Sequence, residues 1–193
     1  MHSSGNEDRF IKSNVAALLG VVVLSAFALS VRAAEQPKPG PEHKKMEVAV
    51  GEWTYEGSAE PSPFGPAERY KGKETARMIL GGFFLETRDE DKSESGYIFQ
   101  GVYLQGYDPV TKTYVSHGSE NDGTVNSGST TISGNTWTST GTRADSKGKV
   151  YKTKSITTFS SDGQTITSAV EYSADDGKTW LPLWNTSSKR VKK

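Results

Sequence analysis

The side chains best suited to acid–base chemistry in this sequence are a histidine and a set of carboxylates. Of the three histidines, only His43 and His117 lie beyond the apolar N-terminus. A histidine exchanges protons near neutral pH and can act as a catalytic base. Neighbouring residues in a strand point to opposite faces, so Ser116 and His117 cannot form a nucleophile–base pair. An enzyme based on His117 would therefore need a carboxylate from another strand, such as Glu86 or Glu171.

The densest acidic stretch runs from Asp89 to Glu94 and contains enough carboxylates for a two-carboxylate site. Such a site requires acids that face the interior of the protein. The stretch follows Thr87 and has the composition of a solvated hairpin tip. We therefore expect it to lie in water, and we predict no catalytic residue.

Composition excludes several classes of site. The chain has no cysteine, which excludes disulfides, thiolate metal sites, iron–sulfur clusters and cysteine nucleophiles. Two histidines in the body are too few for a multi-histidine metal site, so we predict neither a metal nor a cofactor. Lys+Arg and Asp+Glu balance at 23 each, and this lack of a basic excess argues against a nucleic-acid partner.

The N-terminus has the pattern of a signal peptide over residues 1–33. Arg9 and Lys12 precede an apolar stretch from Val15 to Leu29, and Val31-Arg32-Ala33 suits cleavage after Ala33. The stretch is about 15 residues long, whereas a membrane helix needs roughly 20. We predict export to the periplasm or secretion, with no stable membrane insertion after cleavage. The alternative is an uncleaved N-terminal anchor.

The rest of the chain is predicted to form one β-domain over residues 42–193. Residues 34–41 form a Pro-rich linker, and Glu42 to Val50 is the one helical candidate, with Pro41 as its start signal. Beyond residue 33 the chain has 37 Ser and Thr residues but only five Leu. This composition favours strands over helices.

Turn dipeptides divide the domain into about ten strands. They recur about every 12 to 15 residues, which leaves strands joined by short hairpins. The turn dipeptides are Asp108-Pro109, Asp122-Gly123, Gly134-Asn135, Lys147-Gly148, Asp162-Gly163 and Asp176-Gly177. The predicted strands lie near residues 51–60, 70–80, 83–91, 96–107, 112–119, 124–133, 135–143, 149–160, 164–174 and 179–191. Since an open meander would expose two long edges, we predict an all-β, antiparallel up-and-down barrel with one short N-terminal helix.

Gly51-Glu52-Trp53 follows the predicted helix and opens the first strand. This arrangement resembles the start of the lipocalin-like (calycin) barrels. The resemblance implies that Trp53 closes one end of the barrel, with Lys189 or Arg190 stacked on its indole.

A longer resemblance covers nearly all of residues 39–186. Its matching runs include Pro39 to Lys45, Ser62-Pro63-Phe64-Gly65-Pro66, Leu80 to Glu86, Gly106-Tyr107-Asp108-Pro109, Ser116-His117-Gly118 and Asp176 to Trp180. The chain resembles the uncharacterised bacterial family known as domain of unknown function 1579. This family brings no established activity.

The sequence has too few large aliphatic residues to fill a ten-stranded barrel, so the lumen is either partly hollow or filled by aromatic residues. Our first hypothesis is an exported, non-catalytic barrel that binds a small apolar or amphipathic ligand in its lumen. The predicted lining is Trp53, Tyr55, Phe83, Leu85, Tyr103, Val115, His117 and Trp137.

Three alternatives remain open from the sequence. One is an enzyme that uses His117 with a barrel carboxylate. Another is a haem-binding barrel with His117 as the iron ligand, since the strand count is similar to that of nitrobindin-like barrels. The third is a protein-interaction module whose outer aromatic residues dock a partner.

Overall fold

The structure, a computed structural model, describes residues 36–192, and ten antiparallel strands follow one another along this part of the chain. The predicted signal peptide lies outside the described residues. None of the helices in residues 36–192 is long and apolar enough to cross a membrane. The strands are β1 (Gly51–Ala59), β2 (Glu68–Ile79), β3 (Phe84–Ser93), β4 (Ile98–Asp108), β5 (Thr113–Glu120), β6 (Val125–Ser133), β7 (Thr136–Ala144), β8 (Val150–Phe159), β9 (Thr165–Ser173) and β10 (Leu181–Arg190).

The meander closes on itself because β1 pairs with both β2 and the last strand, β10. Trp53 of β1 lies opposite Arg190 of β10, and the pairing continues to Ala59 opposite Trp184. Closure leaves the sheet without a free edge, which removes the template for aggregation that an open meander would present. The predicted all-β up-and-down barrel of about ten strands is confirmed.

A short helical segment covers one end of the barrel. Helix α1 (Pro41–Lys44) begins at a proline and continues into a 3₁₀ helix (Lys45–Ala49), where the sequence predicted one helix from Glu42 to Val50. Met46 is fully buried and packs into the barrel beside Ala49. We call this covered end the base. The opposite end, formed by residues 60–67 and the hairpins around residues 95, 122, 147 and 177, is the rim.

Trp53 locks the helical segment onto the barrel. Its side chain is only 1% exposed, and its indole Nε1 donates a hydrogen bond of 2.9 Å to the carbonyl of Ala49. The guanidinium of Arg190 lies 4.1 Å from the centre of the indole and donates a 2.9 Å hydrogen bond to the carbonyl of Val48. The predicted closure by Trp53 is confirmed, and Arg190 rather than Lys189 is its cationic partner.

Gly51 is required for this arrangement. Its φ of +148° lies in a region that other residues rarely adopt, and a Cβ atom there would collide with Nη1 of Arg190. The Gly-x-Trp spacing of Gly51 and Trp53 therefore lets a guanidinium cover the indole from the far end of the chain.

Each end of the barrel is packed by its own group of apolar side chains. The base group comprises Met46, Ala49, Trp53, Ala76, Leu85, Tyr114, Trp137, Phe159 and Ile166. The rim group comprises Tyr151, Tyr172 and Leu183, with Phe64 from the β1–β2 connection packed against them. The space between the two groups is not filled by side chains, and this space forms the lumen.

Candidate ligand-binding cavity

The lumen contains a cavity of about 790 Å³ between the base and rim groups. Its size lies within the range of roughly 300 to 1,000 Å³ that is usual for small-molecule sites. At the base end the lining is apolar and aromatic: Leu85, Trp137, Phe159 and Ile166 meet there. The ring centres of Trp137 and Phe159 are 4.9 Å apart, so this end of the cavity has an aromatic floor.

An acidic wall stands above this floor. Glu74 of β2 and Asp89 of β3 are cross-strand partners, and Asp91 lies two residues further along the same face of β3. Directly opposite residues in such a pair have Cβ atoms about 4.5 to 5.5 Å apart, which brings two carboxyl groups together inside the barrel.

The expectation of a solvated hairpin tip from Asp89 to Glu94 was wrong for Asp89 and Asp91. Strand β3 stays paired with β2 as far as Ser93, so the strand continues through most of the acidic stretch. Alternation along the strand then directs Asp89 and Asp91 into the lumen, while Glu90 between them is exposed on the outside.

The pKa values of these acids are raised. Burial raises the pKa of Glu74 to about 7. Burial, and then the nearby charges of Glu74 and Asp91, hold the pKa of Asp89 well above its usual range. Burial also raises the pKa of Asp91, although a hydrogen bond from the Tyr55 hydroxyl partly offsets it. The acidic wall is therefore costly to ionise in the absence of a compensating cation.

Tyr55 reaches Asp91 across a glycine. Its hydroxyl donates a hydrogen bond of 3.0 Å to Oδ2 of Asp91, although β2 lies between the two strands. Gly72 occupies the crossing point, where a Cβ atom would come within 2.5 Å of the Asp91 side chain and 2.6 Å of the Tyr55 ring. The absence of a side chain at Gly72 therefore allows this contact.

An ion pair occupies the rim end of the cavity. Both terminal nitrogens of Arg143 donate to the two carboxylate oxygens of Glu120, in a bidentate pair, and the Tyr103 hydroxyl donates to Glu120 at 3.2 Å. The Arg143 guanidinium also lies 5.3 Å from the ring centre of Phe64 and 5.6 Å from that of Trp184. The charge of Arg143 is thus already compensated within the protein.

The lining as a whole has a large excess of acid. Six carboxyl side chains line the cavity, and Arg143 is the only lysine or arginine among the lining residues that the structure describes. The six are Glu68, Glu74, Asp89, Asp91, Glu120 and Asp122.

Three buried polar atoms in residues 36–192 have no hydrogen-bond partner in the protein: Oδ1 of Asp89, Nε1 of Trp137 and Nε of Arg143. All three belong to residues that line this one cavity. Buried polar groups in native proteins are normally paired, so these atoms are available to bind water or a ligand in the cavity.

Four of the eight predicted lining residues line the cavity: Tyr55, Leu85, Tyr103 and Trp137. Trp53 belongs to the base group beneath the cavity and does not line it. Whether the four lining residues contact a ligand stays a prediction.

Three predicted lining residues lie elsewhere, and their placement in the lumen was wrong. Phe83 lies in the β2–β3 connection at the base, where its ring packs 5.0 Å from that of His43. Val115 and His117 are exposed on the outer face of β5, because Tyr114 and Ser116 occupy the alternate, inward positions.

The outward position of His117 removes the basis for two of the alternatives. Leu104 of the intervening strand separates His117 from Glu86, and Glu86 is bound instead by Arg77 at 2.8 Å. Glu171 is paired with a lysine on the outer surface. Neither of the two histidines in residues 36–192 lines the cavity, so the predicted His117–carboxylate pair and a haem ligand inside the lumen are not formed.

The sequence analysis missed the residues that give the cavity its charge, namely Glu74, Asp89, Asp91, Glu120 and Arg143. In β2 the inward residues Tyr70, Gly72, Glu74 and Ala76 alternate with exposed residues. Because the inward set is itself polar, hydrophobic alternation could not identify it. The described residues hold no group of three or more acidic, histidine or cysteine side chains placed to bind a metal ion.

Solved structures share this fold at low sequence identity. The M. tuberculosis protein Rv2717c is 11% identical with a TM-score of 0.57, and the match covers 79% of this chain and 99% of that one. The S-type phycobiliprotein lyase of Guillardia theta is 12% identical with a TM-score of 0.54, covering 79% of this chain and 93% of that one. At these identities the similarity shows the fold alone.

Sequence comparison gives a more direct relationship. No curated protein gives a significant match to the chain. A family model described as "Protein of unknown function (DUF1579)" matches residues 38–190, so this chain belongs to the DUF1579 family.

Proposed function

We propose that this protein is an exported, non-catalytic barrel that binds one small amphipathic molecule in its lumen. The observation that carries the proposal is the set of three unpartnered buried polar atoms around a single cavity of about 790 Å³. A bound molecule with a polar group facing the wall that contains Asp89 would satisfy one of them, and its other polar groups or water can satisfy the rest.

The two-sided lining supports an amphipathic ligand rather than a purely apolar one. The aromatic floor around Trp137 and Phe159 offers apolar surface, whereas the wall that contains Asp89 offers carboxylates. A wholly apolar molecule would leave Oδ1 of Asp89 without a hydrogen-bond donor. An unsatisfied buried acceptor of this kind lowers the free energy gained on binding.

The proposal can be tested with a neutral, environment-sensitive dye such as Nile red and with a variant that fills the lumen. Ser168 lines the cavity from β9, while its neighbour Thr167 is exposed on the outside. We expect wild-type protein to bind the dye with increased fluorescence and one-to-one stoichiometry. Ser168→Trp should lower the affinity at least about tenfold, because its indole occupies the binding volume.

The matched control is Thr167→Trp, which adds the same side chain to the opposite face of the same strand. It should bind the dye like the wild type. A second filling variant, Thr87→Trp, tests the same volume from β3 in case Ser168→Trp does not fold, and circular dichroism verifies the strand content of each. Equal dye affinity in the inward and outward variants would contradict binding in the lumen.

We propose export from the N-terminal pattern of residues 1–33. N-terminal sequencing of the protein from the extracytoplasmic fraction should begin at Ala34 or close to it. Recovery of the intact chain, starting at Met1, in the membrane fraction would instead indicate an uncleaved anchor.

A further inference from the structure

We propose that the ligand carries a protonated amine, and that this cation binds at Asp89, between Glu74 and Asp91. This inference deepens the proposed function and rests on it. It names the chemical class of the ligand from the charges that surround the cavity.

The local geometry favours a cation at Asp89. Oδ1 of Asp89 is buried and has no hydrogen-bond partner, and Glu74 faces Asp89 directly across the β2–β3 pair. A donor placed between the two carboxyl groups would satisfy this oxygen and separate two like charges. An ammonium group supplies several donors and a positive charge at once.

The protein itself supplies no cation for this wall. Arg143, the one basic side chain of the lining, is occupied by both oxygens of Glu120. Asp91 accepts one hydrogen bond from Tyr55, which is neutral. Glu74 and Asp89 therefore face each other without a counter-charge from any described residue.

The free-energy cost of ionising the buried carboxyl groups also favours a bound cation. Buried carboxylates are costly unless they are paired, and a neighbouring like charge increases the cost. The raised pKa values of Glu74 and Asp89 reflect this cost. A bound cation would lower it, whereas a bound carboxylate or phosphate would add a further negative charge to the same space.

An organic cation fits the cavity better than a metal ion. The described residues provide no group of three or more side chains placed as metal ligands. Aromatic rings, among them Tyr55, Tyr103 and Trp137, line the same space and can bind an ammonium group through cation–π contacts. The aromatic floor leaves room for an apolar body attached to the charged group.

The experiment compares three probes that share one apolar body: 1-naphthylmethylamine, 1-naphthylmethanol and 1-naphthoate. Each is titrated into the protein by calorimetry at about pH 7.5, where the amine is protonated. We expect the amine to bind about tenfold or more tightly than the alcohol, because it adds a charge-assisted hydrogen bond. The carboxylate should bind more weakly than the alcohol.

Asp89→Asn removes the charge and keeps the shape. It should reduce the affinity for the amine about tenfold, towards that of the alcohol, and change the affinity for the alcohol less than about twofold. The matched control is Glu90→Gln on the outer face of the same strand, which should leave all three affinities unchanged. Unchanged binding of the alcohol also reports that the variant is folded.

The outcomes separate the two proposals. Equal binding of amine and alcohol, or retained amine preference in Asp89→Asn, would overturn the cation site while leaving ligand binding in the lumen intact. If calcium chloride at equal concentration displaces the amine, the site binds a metal ion and the proposal of an organic cation is overturned. If none of the three probes binds while Nile red does, the cation site is overturned and ligand binding in the lumen stands. If Nile red also fails to bind, both proposals are contradicted.

Discussion

The carboxyl group of Glu74 is buried opposite that of Asp89, and this position determines how the stability of the barrel responds to pH. Its pKa rises from the ordinary 4.5 to about 7 on folding, so between these values the folded state holds a proton that the unfolded state has released. The stability contribution of Glu74 is therefore fully present below about pH 4.5 and is lost as the pH rises through 7. The charged and titratable groups of the same cavity on other strands are Tyr55, Asp89, Asp91, Tyr103, Glu120 and Arg143.

We predict that wild-type protein is less stable in a urea titration at pH 8 than at pH 5.5, and that Glu74→Gln removes much of this difference. The matched control is Glu86→Gln on the outer face. Arg88 and Arg77 hold the pKa of Glu86 below its usual value, so its contribution changes only below the tested window. A Glu74→Gln variant that keeps the whole pH dependence would contradict the buried acidic wall.

For individual residues, a single sequence does not determine which face of a strand points into the barrel when both faces mix polar and apolar side chains. The acids that the sequence analysis missed show this. In β5 the inward Tyr114 and Ser116 and the outward Val115 and His117 each combine one apolar with one polar side chain. Neither set is the hydrophobic one, so the pattern cannot decide which face is inside. The positions of His117 and of Asp89 depend on this choice, and both were assigned to the wrong environment.

At the scale of the elements, the contact between the Trp53 end of β1 and the Arg190 end of β10 seals the base. Trp53→Ala should lower the free energy of unfolding by about 3 to 5 kcal/mol, as is typical for truncation of a packed indole. Arg190→Ala should cost about 0.5 to 2 kcal/mol, because it removes the stacked guanidinium from the indole. Lys189→Ala, next to it but exposed, is the control and should be nearly neutral. A nearly neutral Trp53→Ala would show that the base does not depend on this closure.

The strand boundaries could be predicted because turn chemistry is local. Gly123 and Gly163, predicted at hairpin turns, have φ values of +85° and +66°, which glycine adopts readily. Such residues mark where a strand ends regardless of what the rest of the chain does. The pairing of β1 with β10 was inferred from the need to close an edge, and the structure confirms it.

At the scale of the whole molecule, a scarcity of large aliphatic residues produces a barrel with two packed ends and an open middle. Only five leucines follow residue 33, and aromatic side chains supply most of the packing at the base and rim. The sequence predicted that the lumen would be either partly hollow or filled by aromatic residues. Aromatic residues fill its ends, while the acidic wall that lines the rest was not predicted.

Native mass spectrometry of the protein isolated under non-denaturing conditions from the cells that produce it tests the central claim most directly. The account predicts the mass of the polypeptide plus one small organic molecule, which dissociates on gentle activation as a positively charged species. The Ser168→Trp variant isolated in the same way should lack the added mass, and Thr167→Trp should retain it. Detection of only the bare polypeptide in the wild type, or of the same added mass in Ser168→Trp, would contradict a ligand held in the lumen.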